Sequence, residues 1–275
     1  MALPVHVRHL AVFVMFGAMA ASAHAIPGTE PGPEANFVDL ADLTVAAPVI
    51  VHATVARGER LSDRDSPGLA KGHARMLITA AIEAAIVAPG AIPAQVTWLW
   101  DAPLDSKGKL PKRKNMAVMA WISTPTPDGK TRLIAPNAQQ AWTPALDAQV
   151  RTIATDARSG AAPAIIGVTN GFRADGTVAG ESESQFFLST NDGRGATLVV
   201  TSRPGSPRRV ALSRGDVIDE SAAVVRNGTL LWYRLACSLP ATLPSKAGGN
   251  DPALAADWAA AMASLGPCQR SGNAG

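Results

Sequence analysis

Residues 75–87 read RMLITAAIEAAIV, and their pattern indicates the fold class of this 275-residue chain. Apolar side chains occupy every even position from Met76 to Ile86, whereas Arg75 and Glu83 occupy odd positions. A period of two places these sets on opposite faces of a β-strand. The several alanines leave a helix open as the alternative, and we expect a half-buried strand.

Three further segments before residue 123 have strand character. They are residues 49–56, 95–100 and 116–122. The last is apolar on both faces, which is typical of a central strand. Four strands in this part of the chain predict a small sheet or barrel.

The second half begins with a helix signal at Thr143 and Pro144, an N-cap residue followed by proline at the first helical position. Gly160 is expected to end this helix. Strands are predicted at residues 164–169, 184–190, 196–201 and 209–213.

A hairpin is predicted at Asn227 and Gly228, a pair that suits a type I′ turn between strands at residues 222–226 and 229–235. A final helix is predicted between Asp251 and Gly266. We therefore expect an α+β, mostly β protein with two strand-rich halves, a linking helix and a C-terminal helix. Its predicted parts are residues 37–142, 143–240 and 241–275.

Residues 1–25 are typical of a secretory signal peptide, with an apolar run and small residues before Ala25. We expect cleavage there, a flexible leader at residues 26–36, and a periplasmic or secreted location. The apolar run is shorter than the roughly 20 residues that span a bilayer. We expect no integral membrane segment after cleavage.

The composition, with 47% hydrophobic and 17% charged residues, indicates a folded chain. The formal net charge of +3 gives no reason to expect a nucleic-acid partner. Cys237 and Cys268 are the two cysteines, and in an oxidising compartment we expect them to form a disulfide. The alternative is a metal site with His52 and His73, which lack ligand spacing. We expect no metal and no cofactor.

The segment around Glu181 and Glu183 is a candidate site because residues two apart in a strand project to the same side. Two such carboxylates could hold a cation or perform acid/base catalysis, and the alternative is a solvated strand edge. Residues 180–184, GESES, lack the closing glycine of a serine-hydrolase turn. Asp216, Asp219 and Glu220 form a second acidic cluster with the same two interpretations.

Trp98 and Trp100, followed by Asp101, could form an aromatic platform that stacks on a ligand such as a sugar. Val96 shares their face, which favours the alternative, a buried sheet face. A basic loop follows, and its exposed charges could contact anionic lipid head groups; the alternative is a solvated loop. Its charged residues are Lys107, Lys109, Lys112, Arg113 and Lys114.

Three segments, residues 180–188, 233–237 and 265–268, are similar to an uncharacterised family of exported proteins from sphingomonad-type bacteria. This resemblance implies an exported protein with paired cysteines and transfers no catalytic residue. Residues 39–55 also resemble the opening of secreted OB-like domains, which implies a barrel in the first half.

We therefore expect a non-catalytic envelope protein that binds a partner protein or a small ligand. The candidate binding residues are Glu181, Glu183, Trp98 and Trp100. One alternative is an acid-dependent hydrolase that acts on envelope polysaccharide or peptide, and another is a structural subunit of an envelope assembly. The sequence identifies no catalytic residue.

Overall fold

The alternating stretch forms most of strand β2 (His73–Val87) in the computed structural model, which describes residues 36–110, 114–214 and 223–271. Buried residues alternate along its first half, so the strand and not the helix is present. The described residues belong to one compact unit. The predicted signal peptide, most of the leader, Lys112, Arg113 and the acidic cluster at residues 216–220 lie outside the described residues.

The first sheet follows helix α1 (Phe37–Ala46) and contains five antiparallel strands. Their spatial order is β3-β2-β1-β4-β5. The sheet curls into a half-barrel, which is the part of the OB-like expectation that the structure shows. Besides β2, its strands are β1 (Val49–Arg60), β3 (Gln95–Pro103), β4 (Ala117–Ile122) and β5 (Gln139–Ala141).

The segment between β4 and β5 connects the β3 side of the half-barrel to the β4 side. The Thr97 N–H of β3 donates to the Gly129 carbonyl at 2.9 Å, and the Ser123 N–H after β4 donates to the Arg132 carbonyl at 2.9 Å. Large side chains fill the concave face, including Val51, Ile78 and Trp98.

The other face of this sheet packs on helices, so both of its faces are covered. Helix α2 (Pro144–Ser159) begins at Thr143, whose side chain accepts from the Leu146 N–H, and ends at Gly160 in the left-handed region (φ 70°). Ile153 of α2 packs with Ile50 of β1 and Trp121 of β4. The cap, the proline and the terminal glycine confirm the predicted helix signals.

The second sheet is also antiparallel, in the order β10-β9-β8-β7-β6. One face packs on two helices to form a third core cluster, in which the rings of Phe186 and Trp258 meet edge to face at 5.0 Å. The elements are β6 (Ile165–Asp175), β7 (Ser182–Thr190), β8 (Ala196–Arg203), β9 (Ser206–Arg214), β10 (Ala223–Val224), α3 (Leu230–Ser238) and α4 (Pro252–Leu265).

The predicted strand at residues 229–235 is wrong, because this segment begins helix α3. Thr229 is its N-cap and accepts from the Trp232 N–H. The apolar run at residues 230–236 fits a buried strand or a buried helix, and packing against α4 favours the helix. The Asn227–Gly228 pair therefore precedes a helix and does not close a hairpin.

The predicted disulfide is present, with the Cys237 and Cys268 sulfurs 2.11 Å apart. It joins the end of α3 to the segment after α4. This segment continues to α1, where Arg270 Nε donates to Asp42 Oδ2 at 2.5 Å and the Asn36 amide donates to the Gln269 carbonyl at 2.8 Å. In the ranges that the structure describes, no helix is long and apolar enough to cross a membrane.

Candidate functional site

Glu183 lies on the face of the second sheet that points away from the helices. Strand β7 alternates strictly, since Ser182, Ser184 and Phe186 are buried towards α4, whereas the residues between them are more exposed. Glu183 is therefore on the outer face and Ser184 on the inner face. Glu181 precedes the strand, in the loop from β6, where the Gly176 N–H donates to its carbonyl at 2.8 Å.

Two exposed phenylalanines share this face with Glu183. Phe172 of β6 pairs with Gln185 of β7, and Phe187 pairs with Asn170. Directly paired residues in an antiparallel sheet project to the same side. Phe172 is 55% exposed and Phe187 is 39% exposed. We call these five side chains the outer patch: Asn170, Phe172, Glu183, Gln185 and Phe187.

Two amide side chains of the outer patch each make a hydrogen bond within the protein. The Gln185 amide donates to Glu183 Oε1 at 2.8 Å. The Asn170 side-chain oxygen accepts from the Gly171 N–H at 2.9 Å. The phenylalanine rings are thus the principal groups that this surface offers to a binding partner.

A buried carboxylate fixes the sheet beneath the outer patch. Asp257 of α4 is 3% exposed, and its Oδ2 accepts from the Ser184 hydroxyl at 2.7 Å. Arg173 Nε approaches the same oxygen at 3.2 Å, and Arg208 Nη2 lies 3.3 Å from Oδ1. Arg173 also bonds Asp175, which raises the pKa of its guanidinium. These contacts join three strands to one helix, so the outer patch lies on a rigid support.

Trp98 and Trp100 lie in the half-barrel core and are 1% and 8% exposed. Trp98 Nε1 donates to Gln139 Oε1 at 2.8 Å. The structure thus shows the alternative given above, a buried sheet face shared with Val96. The structure does not bring these tryptophans together with Glu183, which lies on the other sheet, or with Glu181, which precedes its strand β7.

The exposed aromatic rings could have been found in the sequence. Phe186 and Phe187 are adjacent in a predicted strand, and successive residues must point to opposite faces. One of the two rings must therefore point away from the core. Phe172 gives a weaker signal, since it stands alone between Gly171 and Arg173.

The two histidines that follow the predicted signal peptide have separate surroundings. The His52 ring stacks on Trp142, with centroids 4.3 Å apart and planes 10° apart. Trp142 Nε1 donates to Asp147 at 3.2 Å. His73 begins β2. Among the residues with described positions, no group of three or more His, Cys, Asp or Glu side chains is arranged to hold a metal ion.

The described part of the basic loop forms a turn around Asp105. Its carboxylate accepts from the Lys107 and Lys109 N–H groups at 2.9 and 2.8 Å. The backbone is thus held while both lysine side chains are exposed. Binding of this loop to anionic lipid stays a prediction.

Comparison of the chain with known protein families gives no match, and neither does comparison with curated proteins or with solved structures.

Proposed function

We propose that this is an exported, non-catalytic envelope protein that binds a partner protein through the outer patch. The observation that carries the proposal is the exposure of Phe172 and Phe187 at diagonal positions on one face of the sheet. Aromatic side chains are enriched in the energetic centres of protein interfaces. Export is supported by the signal-like residues 1–25 and by the disulfide, which is typical of oxidising compartments.

A protein fits this surface better than a sugar does. Recognition of a sugar requires free hydrogen-bonding groups beside the aromatic rings, because each hydroxyl must be satisfied. Gln185 Nε2 and Asn170 Oδ1 each already make one hydrogen bond within the protein, which reduces what these two amides can offer to a sugar. An apolar segment of a protein would bury the rings without requiring these groups.

The charge beside the rings specifies the partner further. Neither Glu181 nor Glu183 has an ion-pair partner among the described residues. A partner that presents apolar side chains to Phe172 and a lysine or arginine to Glu183 would complement both features. Its binding should weaken as salt is added.

Site-specific photocrosslinking tests the proposal. A benzophenone amino acid replaces Phe172, Phe187 or, as the control, Leu99, which is 48% exposed on the other sheet. In cells that make the protein, positions 172 and 187 should each give an adduct with one and the same protein that position 99 does not give. That protein is then purified for titration.

Titration of the purified partner should show binding to the wild-type protein and to Leu99→Ala. Phe172→Ala should bind at least tenfold more weakly, since loss of an aromatic anchor costs about 2 kcal/mol or more. Glu183→Lys should weaken binding and reduce its salt dependence. Equal affinity of wild type and Phe172→Ala, the same adducts from all three positions, or an adduct with a second copy of this chain would contradict the proposal.

A further inference from the structure

Two Asn–Gly pairs occur in the chain, Asn170–Gly171 in β6 and Asn227–Gly228 between β10 and α3. Asparagine is one of the thermolabile residues, because the following backbone nitrogen can attack its side-chain carbonyl carbon. Glycine in the next position favours this attack, since it has no Cβ to obstruct the approach. The two pairs have the same local sequence, so their surroundings in the fold determine which of them reacts.

The first pair is held in the second sheet. Asn170 and Gly171 pair with Phe187 and Phe186 of β7. The Gly171 N–H donates to Asn170 Oδ1 at 2.9 Å, and such a bond lies near the plane of the amide rather than above its carbon. A Cβ added to Gly171 would lie 2.8 Å from the Ala247 carbonyl oxygen, so little space surrounds this glycine. Attack at Asn170 would therefore require the strand to leave its neighbours.

The second pair has none of these restraints. Asn227 and Gly228 are both exposed. Within the ranges that the structure describes, neither the Asn227 side chain nor the Gly228 N–H forms a hydrogen bond. Apart from the adjacent residues, no heavy atom lies within 4 Å of a Cβ built on Gly228. The attacking nitrogen and the attacked carbon are thus both free, and solvent reaches them.

The turn that contains this pair is held by a side chain. The Thr229 hydroxyl donates to the Arg226 carbonyl at 2.7 Å. The Thr229 N–H does not bond this carbonyl in the described backbone, so the turn lacks its usual backbone hydrogen bond. Gly228 lies in the left-handed region (φ 74°). Rotation about the Asn227 backbone therefore breaks no hydrogen bond of a strand or helix.

We propose that Asn227 is a site of spontaneous deamidation, with water as the co-reactant. The Gly228 nitrogen attacks Asn227 Cγ and forms a C–N bond, while the side-chain nitrogen takes up the Gly228 proton and leaves as ammonia. Water then adds to one of the two carbonyls of the cyclic imide and breaks its C–N bond. Opening at one carbonyl gives aspartate, and opening at the other gives isoaspartate, in which the main chain runs through the former side chain.

The reaction changes the connection that leads into α3. Both products add a negative charge near the N-terminus of this helix, where the helix dipole favours it. Isoaspartate also adds one carbon to the main chain inside the turn that the Thr229 hydroxyl closes. Thr229 accepts from the Trp232 N–H as the N-cap, so isoaspartate should weaken this cap. The site lies outside the outer patch and is independent of the proposed function.

Peptide mapping by mass spectrometry tests the proposal on the folded, disulfide-bonded protein during incubation in mildly alkaline buffer. Conversion replaces NH2 by OH and raises the peptide mass by one dalton, and chromatography separates isoaspartate from aspartate. In the folded protein, Asn227 should convert at least tenfold faster than Asn170 and give both products. In urea the two pairs should convert at similar rates. Equal rates in the folded protein, the same difference in urea, or aspartate as the sole product would overturn the proposal.

Hydrogen exchange of the Trp232 amide measures the effect on α3. After incubation this amide should exchange faster in the wild-type protein. Asn227→Gln should show no such change, since glutamine would have to close a larger ring. Asn191→Gln alters an exposed asparagine in another loop and should behave like wild type. Faster exchange after incubation of Asn227→Gln, or none in wild type, would refute the link between Asn227 and the helix cap.

Discussion

The hydroxyl of Tyr233 donates a hydrogen bond of 2.5 Å to Asp42 Oδ1, which joins α3 to α1 across 191 residues of sequence. Arg270 bonds the same carboxylate from the segment after α4. Three distant parts of the chain therefore meet at one side chain. Because the groups are ionisable, the strength of this contact depends on pH.

Tyr233 is the only tyrosine in the chain, so its ionisation can be followed by ultraviolet absorbance. Burial and the hydrogen bond to Asp42 raise the pKa of Tyr233 to about 12. The stabilisation from this shift is present below the usual tyrosine pKa of about 10 and is lost as pH rises through the folded value. Asp42→Asn should move the absorbance midpoint down towards 10. An unchanged midpoint, with circular dichroism showing a folded protein, would contradict the contact.

The Asp42 carboxylate should stabilise the fold at neutral pH. Burial acts to raise the pKa of Asp42, but hydrogen bonds from Arg270 and Tyr233 outweigh it and hold the pKa below its usual value. Stabilisation is therefore present above about pH 4 and is lost as pH falls. Urea unfolding should show Asp42→Asn to be about 1 kcal/mol less stable than wild type at pH 7. The difference should shrink below pH 4, and a constant difference would refute this ionic origin.

Removal of Asp257 should be among the most destabilising changes in the second sheet. Asp257→Ala removes the carboxylate shared by Ser184, Arg173 and Arg208, and because Arg208 is 47% exposed and Arg173 keeps Asp175, we expect a loss of about 2 kcal/mol. Ser184→Ala should cost about 1 kcal/mol, since one hydrogen bond to a charged group is removed. Both are measured by urea unfolding.

Asp63→Ala provides the control for that series, because Asp63 is exposed and forms none of the ion pairs found in the described residues. It should change the free energy of unfolding by less than about 0.5 kcal/mol. A similar loss for Asp63→Ala and Asp257→Ala would argue against a structural role of the buried cluster.

The disulfide should contribute about 3–4 kcal/mol to stability, given the sequence separation of 31 residues. Cys237→Ser should lower the free energy of unfolding by this amount, and reduction of the wild-type protein should have the same effect. Reductant should leave Cys237→Ser unchanged. If reduction leaves the wild-type protein as stable as before, the bond does not stabilise the fold.

Trp98→Phe tests the contribution of the buried Trp98 side chain to the stability of the half-barrel core. The change removes the hydrogen bond to Gln139 and leaves a buried acceptor unpaired, so we expect a loss of about 2 kcal/mol. Leu99→Ala, the exposed neighbour, should cost less than about 0.5 kcal/mol. Thermal unfolding should show a larger decrease in melting temperature for Trp98→Phe than for Leu99→Ala. An equal or smaller decrease for Trp98→Phe would contradict this role.

Local signals predicted much of the fold. The period of two located β2 within two residues, and the Thr143–Pro144 and Asp251–Pro252 pairs marked the starts of α2 and α4. The failure at residues 229–235 has a physical cause, since a short apolar run has no distinct period. Its conformation was determined by packing against distant residues.

The candidate site was predicted less completely. The sequence singled out Glu183 by its spacing of two from Glu181, but this spacing could not show which face of the sheet Glu183 occupies or which side chains lie beside it. Phe172 joins Glu183 only through the register of β6 on β7. The Asp257 cluster depends on partners 73 and 84 residues away, and no local pattern encodes such a distance.

The contact between Asn36 and Gln269 has a consequence for how the protein is made. The beginning and the end of the described chain meet there, so the contacts that hold α1 to this segment form only after the last helix has been synthesised. A ribosome-bound chain that lacks this final segment lacks the hydrogen bonds to Asn36 and Asp42, and contacts of such long range form late. Protease protection of α1 by this terminal segment should therefore appear only once the final residues have emerged.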